Sequence, residues 1–106
     1  MSDDNATRSR FVRQIILDVL SAADGAGSRF GLTWDQLRGG FRRSRTSVSD
    51  SELRRELNDL RDDRLIVETW DEDLGCDEYR LAARGRDFKR AGCPWPKIDE
   101  FTGNQP

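Results

Sequence analysis

Residues 33–81 of this chain, TWDQLRGGFRRSRTSVSDSELRRELNDLRDDRLIVETWDEDLGCDEYRL, carry the pattern that decides the fold. Two short amphipathic segments begin at Thr33 and Ser49, and two β-prone segments follow them. Both starts match a capping box, in which a hydroxyl side chain accepts from the third amide of the helix and a Gln or Glu side chain reaches back to the capping residue. The pattern predicts a helix, a basic loop, a helix and a β-hairpin with an acidic tip.

The first of these two helices carries Trp34, Leu37 and Phe41 three and four residues apart, so the three side chains share one face. Gly39 and Gly40 interrupt the segment, and we expect them to weaken the helix after about two turns. The second helix has a leucine seam, which we expect to be buried. Its members are Leu53, Leu57, Leu60 and Leu65.

The hairpin follows from residue type. Residues 65–70 are rich in β-branched and aromatic side chains and predict a strand, residues 71–78 predict a turn, and residues 79–81 predict the returning strand. Trp70 in the first strand, like Trp34, is expected to pack in the core or on the sheet.

Upstream of this region, a first helix is predicted to begin at Thr7 or Arg8 and to end at Ala23, because apolar residues recur there at helical spacing. These residues are Val12, Ile15, Ile16, Val19 and Leu20. Residues 1–6 are polar and are expected to form a disordered lead. Residues 29–32 are expected to form a brief edge strand.

Downstream of the hairpin, a last short helix is expected from residue 82 or 83 to residue 90. The folded domain is therefore predicted to span residues 7–92, with an extended tail over residues 93–106, where prolines forbid a helix. Trp95 and Phe101 lie in this tail. They either fold back over the core or dock on a partner.

Two stretches resemble winged helix-turn-helix proteins. Residues 49–66, SDSELRRELNDLRDDRLI, resemble the recognition helix and the first wing strand of many bacterial regulators. Residues 79–86, YRLAARGR, resemble the second wing strand and its exit, where the usual pattern is Tyr-x-Leu-Thr-x-x-Gly. Ala82 stands where threonine is usual, so the last helix is expected to lack its customary cap.

The resemblance runs from the first helix to Gly85. It implies an α+β, mainly α fold: a three-helix helix-turn-helix core, a β-hairpin wing, a short C-terminal helix and an extended tail. Winged helices bind DNA or act as protein-interaction modules, so the resemblance leaves both functions open. The small size also resembles short accessory winged-helix proteins of Mu-like bacteriophages.

A candidate DNA site surrounds the start of the second capped helix. Four arginines and no acidic residue lie between Arg38 and Thr46, and arginines in this position can pair with phosphates. The amides at a helix N-terminus can bind another phosphate, and Arg and Asn side chains suit guanine and adenine edges. The predicted DNA-binding residues are Arg38, Arg42, Arg43, Arg45, Ser49, Ser51, Arg54, Arg55 and Asn58. In the alternative interpretation, the arginines form a solvated loop and ion pairs along the helix.

Carboxylates nearby argue against DNA contact by the wing. Five of the eight residues 71–78 are acidic, so phosphates would repel the predicted turn. The helix that begins at Ser49 also carries Glu56, Asp59, Asp62 and Asp63 on what we expect to be its exposed half. We therefore expect the wing to meet a basic protein surface instead. The predicted partner surface comprises Asp71, Glu72, Asp73, Trp95 and Phe101.

The composition limits the chemistry. The chain has no histidine, which removes His-dependent catalysis and His-ligated metal sites. Its two cysteines, Cys76 and Cys93, are too few for a structural zinc site and are expected to be ordinary thiols, although a disulfide between them stays open. We expect no cofactor and no metal. The polar N-terminus and the lack of a long apolar run predict a cytoplasmic protein without membrane contact.

Two functions remain from the sequence, and an enzyme is disfavoured because no carboxylates form an acid–base constellation. The first is a small winged-helix DNA-binding protein, a transcriptional regulator or a phage-associated factor, which binds double-stranded DNA as a homodimer. The second is a protein-interaction or assembly module that uses the acidic wing and the tail to bind itself or another protein.

Overall fold

The computed structural model describes residues 2–25 and 31–95, with side chains from Ala6 onward. Their element order confirms the predicted α+β, mainly α fold, in which three helices precede a hairpin and a short helix. The elements are α1 (Ser2–Gly25), β1 (Leu32–Thr33), α2 (Trp34–Arg43), α3 (Asp50–Asp62), β2 (Ile66–Asp71), β3 (Cys76–Leu81) and α4 (Ala83–Arg90). No helix in this part of the chain is long and apolar enough to cross a membrane.

The first helix begins earlier than predicted. α1 starts at Ser2, so residues 2–6 of the expected disordered lead are helical. Acidic residues are favourable in the first turn of a helix, and neither proline nor glycine interrupts residues 2–24. Further along, Arg8 donates from Nε to Glu52 on α3 at 2.7 Å, and this contact lowers the pKa of the Glu52 carboxyl. The polar start therefore belongs to a helix that is tied to α3.

Helix α2 begins with the predicted capping box. The Thr33 hydroxyl accepts from the Gln36 amide at 3.3 Å, and the Gln36 side chain accepts from the Thr33 amide at 2.9 Å. Gly39 and Gly40, which we expected to weaken this helix, do not end it, because α2 continues through both to Arg43. A Cβ at Gly40 would lie 2.8 Å from Cγ2 of Val19, so this glycine permits close packing of α2 on α1.

Helix α3 forms half of its predicted capping box. The Ser49 hydroxyl accepts from the Glu52 amide at 3.1 Å, whereas the Glu52 carboxylate binds Arg8 instead of reaching back. The leucine seam is buried as predicted, and it meets α1, α2 and the sheet in one core. The core residues are Val12, Ile15, Ile16, Leu17, Leu20, Leu37, Phe41, Leu53, Leu57, Leu60, Leu65, Ile66, Tyr79 and Leu81.

The three strands form an antiparallel sheet with β3 in the centre. β1 pairs Leu32 with Tyr79 and Thr33 with Glu78. Of the predicted edge strand over residues 29–32, Leu32 lies in β1 and Gly31 does not, and residues 29–30 lie outside the described residues. The hairpin pairs β2 with β3 from Ile66–Leu81 to Asp71–Cys76. β3 begins at Cys76, so the turn is four residues long instead of the predicted eight, and Asp77 and Glu78 lie in the strand.

The end of the described chain packs on the domain. Ala82 precedes α4 without a side-chain cap, as the resemblance implied. A Cβ at Gly85 would lie 2.0 Å from the Leu65 carbonyl oxygen, so α4 can approach the start of the wing only with glycine there. Both cysteines are free thiols. Trp95 donates from its indole N–H to the side-chain oxygen of Gln14 on α1 at 2.7 Å. Its ring packs edge-on against Phe88, with the two ring centroids 4.7 Å apart.

Candidate nucleic-acid interface

Four exposed arginines lie on α2 and in the turn before α3, and we call them the basic turn: Arg38, Arg42, Arg43 and Arg45. The Arg38 Nε lies 3.5 Å from an Asp50 carboxylate oxygen. Within residues 2–25 and 31–95, the other three guanidinium groups have no ion-pair partner. The structure thus places three free positive charges just before α3, where the sequence predicted contacts to phosphates.

Arg45 occupies a backbone conformation that favours glycine. Its φ is 55°, and the amides of Arg45 and Thr46 donate to the carbonyls of Arg42 and Phe41, both at 3.0 Å. These bonds close α2 in a Schellman motif, in which glycine is the usual left-handed residue. Arg64 ends α3 in the same way, with φ 63°. An arginine in this left-handed conformation costs stability relative to glycine. Arg45, Arg64 or both are therefore expected to have a role that their side chains supply.

The two flanks of α3 are occupied by contacts inside the chain. On one flank, Arg13 of α1 donates to Asp59 at 2.8 Å. On the other, Arg61 donates to Glu68 of β2 at 3.0 Å. Arg54, Asn58 and Arg61 lie four and three residues apart and share one face of α3, which is therefore partly covered by the wing. The outward ridge, spaced four, three and four residues apart, consists of Ser51, Arg55, Asn58 and Asp62.

Along this ridge, Arg55 is the most prominent predicted base contact, with 62% of its side chain exposed. Asn58 is half-buried. Ser49 is used as the cap of α3, and its hydroxyl also lies 3.3 Å from the hydroxyl of Ser51. Ser49 therefore has a structural role in the site, whereas Ser51 and Arg55 face outward.

The carboxylate at Glu56 does not contribute to the exposed surface, contrary to the expectation. Glu56 is only 1% exposed because it lies beside the leucine seam and points toward α1. Its Oε1 lies 3.6 Å from Nη2 of Arg13 and 3.6 Å from Nε of Arg55. Neither of its oxygens has a hydrogen-bond partner among the described residues. The acidic charge facing outward from α3 is thus smaller than the sequence indicates.

The wing also differs from the expected run of exposed acid. Asp71 accepts the amides of Asp73 and Leu74 at 2.9 and 3.1 Å, which shapes the turn. Glu78 is buried and accepts the Gly31 amide at 3.0 Å, and Asp77 is half-buried. Only Glu72 and Asp73 stand free at the tip. The tip is acidic, although less so than the count of carboxylates predicts.

Two apolar side chains at the wing tip were missed. Trp70 is 62% exposed and Leu74 is 60% exposed, so Trp70 does not pack in the core, which was one of the two expected positions. Trp70 lies on the same face of β2 as Ile66, which is buried, but the hairpin extends beyond the helices at Trp70. The alternation of apolar residues along β2 does not indicate how far along the strand the helices cover it.

The predicted partner residue Trp95 is half-buried against its own chain, which is the fold-back alternative. It borders a cavity of about 710 Å³ between α1, α3 and α4. The cavity is lined in part by Arg10, Arg84 and Phe88. Phe101, the other predicted tail anchor, lies outside the described residues.

Comparison with known structures supports the architecture. The chain is similar to a solved structure described as "X-ray structure of PadR-like Transcription factor from bacteroid fragilis", with a TM-score of 0.70 and 17% sequence identity. The match covers 97% of this chain and 97% of that chain. Comparisons with protein-family models and with curated proteins found no match. The element order, the three-stranded sheet and this similarity show that the chain has the winged-helix fold.

Proposed function

We propose that this chain is a winged-helix DNA-binding protein that regulates transcription, and that the basic turn and the outward ridge of α3 bind double-stranded DNA. The observation that carries the proposal is the set of three partner-free arginines, Arg42, Arg43 and Arg45, beside the start of α3. Arginine pairs well with phosphate, and this place in a helix-turn-helix lies against the DNA backbone. The similarity to a PadR-like transcription factor supports this function.

In this proposal two of the carboxylates of α3 do not oppose DNA, whereas Asp62 and Asp63 at its C-terminal end stay exposed. Glu56 is buried and Asp59 is held by Arg13, so neither presents a free negative charge to phosphates. The wing tip, with Glu72 and Asp73, stays away from the DNA backbone because exposed like charges repel within about 10 Å at ordinary salt. The helix and the turn therefore provide the binding. We further propose that the protein acts in the cytoplasm as a homodimer, without catalytic activity.

The test is the salt dependence of binding to a fluorescently labelled DNA duplex, measured by anisotropy. Replacing Arg42, Arg43 and Arg45 together with alanine should weaken binding, and should flatten the slope of log affinity against log salt by up to about 2.7, or about 0.9 for each lost phosphate contact. A matched control removes three other exposed arginines, Arg64, Arg84 and Arg90, by alanine substitution. An unchanged slope in the first variant, or an equal change in both, refutes this site.

A second candidate function is a protein-interaction module. It is favoured by Trp70 and Leu74, which stand exposed beside Glu72 and Asp73 and offer apolar anchors with an acidic rim. Such a surface suits a basic protein partner or a second copy of the chain. Under this function the protein forms no DNA complex at physiological salt, and assembly measured by sedimentation is lost on removal of residues 96–106 or on Trp70→Ser. Unchanged assembly in both variants excludes it.

A further inference from the structure

Arg54 is held in place by two residues outside its helix. The Arg54 guanidinium carbon lies 4.6 Å from the centroid of the Trp34 ring, at the start of α2. Its Nη1 donates to the Tyr79 hydroxyl oxygen at 3.2 Å, on the central strand of the sheet. α2, α3 and β3 therefore meet at one arginine side chain. This arginine is nevertheless exposed, because it lies at the edge of the contact and not beneath it.

Both supports are themselves packed in the domain. Trp34 packs partly against the core, and Tyr79 is 2% exposed. Burial raises the pKa of the Tyr79 hydroxyl, so this group stays neutral and accepts a hydrogen bond at neutral pH. A guanidinium over an indole ring is attracted by the negative face of the ring. The two contacts restrict a side chain that is otherwise among the most flexible, so less freedom is lost when it binds a ligand.

The N–H donors of Arg54 that remain free lie along one edge of the guanidinium group. With Nη1 bound to Tyr79, the edge formed by Nε and Nη2 has no hydrogen-bond partner among the described residues. Two parallel N–H groups on one edge match the O6 and N7 acceptors of guanine in the major groove. Arg54 lies in the N-terminal half of α3, which is the part of a recognition helix that meets base edges.

We propose that Arg54 contacts a guanine in the major groove, and that Trp34 and Tyr79 are positioning residues that fix its orientation. The inference rests on the proposed DNA binding and goes beyond it by assigning a base and two further residues. It also gives the hairpin a part in DNA recognition despite its acidic tip. The wing contributes through Tyr79, which supports the arginine from behind the helix.

The test is selection from a library of random-sequence DNA duplexes, carried out with the wild-type protein and with Arg54→Ala, Tyr79→Phe, Trp34→Leu and Trp34→Phe. The wild-type protein should select a motif that contains guanine. Arg54→Ala should lose preference for that guanine by about tenfold or more, with an unchanged salt slope. Tyr79→Phe and Trp34→Leu should weaken the same preference, and Trp34→Phe should retain most of it because an aromatic face remains. Thermal melting confirms that each variant is folded.

A matched control is Arg61→Ala, because Arg61 is the other arginine of α3 that contacts the wing. It should leave the guanine preference intact. The inference is overturned if Arg54→Ala keeps the full preference or flattens the salt slope, which identifies a phosphate contact. Unchanged preference in both Tyr79→Phe and Trp34→Leu overturns the positioning role alone. Salt-dependent binding without any sequence preference overturns the inference and leaves the proposed function, whereas no DNA binding overturns both.

Discussion

The basic turn and the wing tip carry opposite charges, and these charges differ in how far they are exposed and bound by neighbours. Arg42, Arg43 and Arg45 stand free of ion-pair partners among the described residues. In the hairpin, by contrast, Asp71 shapes the turn and Glu78 is buried, so only part of the acidic run faces solvent. A count of charged residues in these two regions therefore underestimates the exposed basic charge of the turn relative to the exposed acidic charge of the hairpin. The comparison favours DNA at the turn and a different role for the tip.

The largest expected effect concerns Glu56, the carboxylate of α3 that lies inside the molecule. Its two arginine neighbours do not depend on it, since Arg13 keeps Asp59 and Arg55 is mostly exposed. Replacing Glu56 with Met removes the cost of burying a charge without hydrogen bonds, so the free energy of unfolding should rise by about 1–3 kcal/mol. Chemical denaturation measures this change. A loss of stability instead would show that Glu56 is a favourable part of the α1–α3 contact.

The next largest effect is expected from reversing the charge of the wing tip. If the tip only repels DNA, Glu72→Lys combined with Asp73→Lys should strengthen binding about tenfold at low salt and steepen the salt slope by up to about 1.8. The measurement is fluorescence anisotropy with the duplex used for the basic turn. Glu72→Gln combined with Asp73→Asn is the control, because it removes repulsion without adding attraction. Unchanged affinity in the lysine variant would place the tip far from the DNA.

A smaller effect separates backbone strain from charge. Arg45 and Arg64 both end helices with positive φ, so replacing either with glycine should stabilise the protein by up to about 1 kcal/mol. Only Arg45→Gly should weaken DNA binding, since only Arg45 belongs to the basic turn. Thermal melting and DNA titration on the two variants test this pair. Equal loss of affinity in both would mean that the end of α3 also meets DNA.

The smallest effect is the pH dependence of the hairpin. Burial and the neighbouring Asp77 carboxyl raise the pKa of Glu68 above its ordinary value of 4.5, although Arg61 opposes this. A carboxyl with a raised folded pKa favours folding below its unfolded pKa, and this contribution is lost as pH rises through the folded pKa. Glu68→Gln should make the free energy of unfolding depend less on pH just above the folded pKa of Glu68, by less than about 1 kcal/mol. The melting temperature, measured across this pH range, follows the change. An identical pH profile in the variant would contradict this assignment.

Local signals predicted most of the fold. The capping box at Thr33, the cap at Ser49 and the leucine seam each depend on residues within one helix, so the sequence alone indicated them. The start of α1 was placed too late because a polar lead and the first turn of a helix have the same composition. The turn of the wing was placed too broadly because strand pairing, not residue preference, brings Asp77 into β3.

The site was harder to predict because it depends on packing between elements. Glu56 is one residue from the buried Leu57, and only the position of α1 decides that it is covered. Trp70 is exposed because the hairpin extends past the core, a length that no local pattern encodes. The pair of supports for Arg54 joins residues 34, 54 and 79, which no sequence spacing connects. The sequence named the arginines of the candidate site, whereas the contacts that each of them makes required the structure.

The most direct test of the central claim is the affinity of the wild-type protein for a DNA duplex as salt rises from about 50 to 200 mM. We predict binding at the lower salt and a linear fall of log affinity against log salt, with a slope of about −2.7 or steeper for three or more phosphate contacts. No binding at the lower salt, or a slope near zero, would contradict DNA binding by the basic turn.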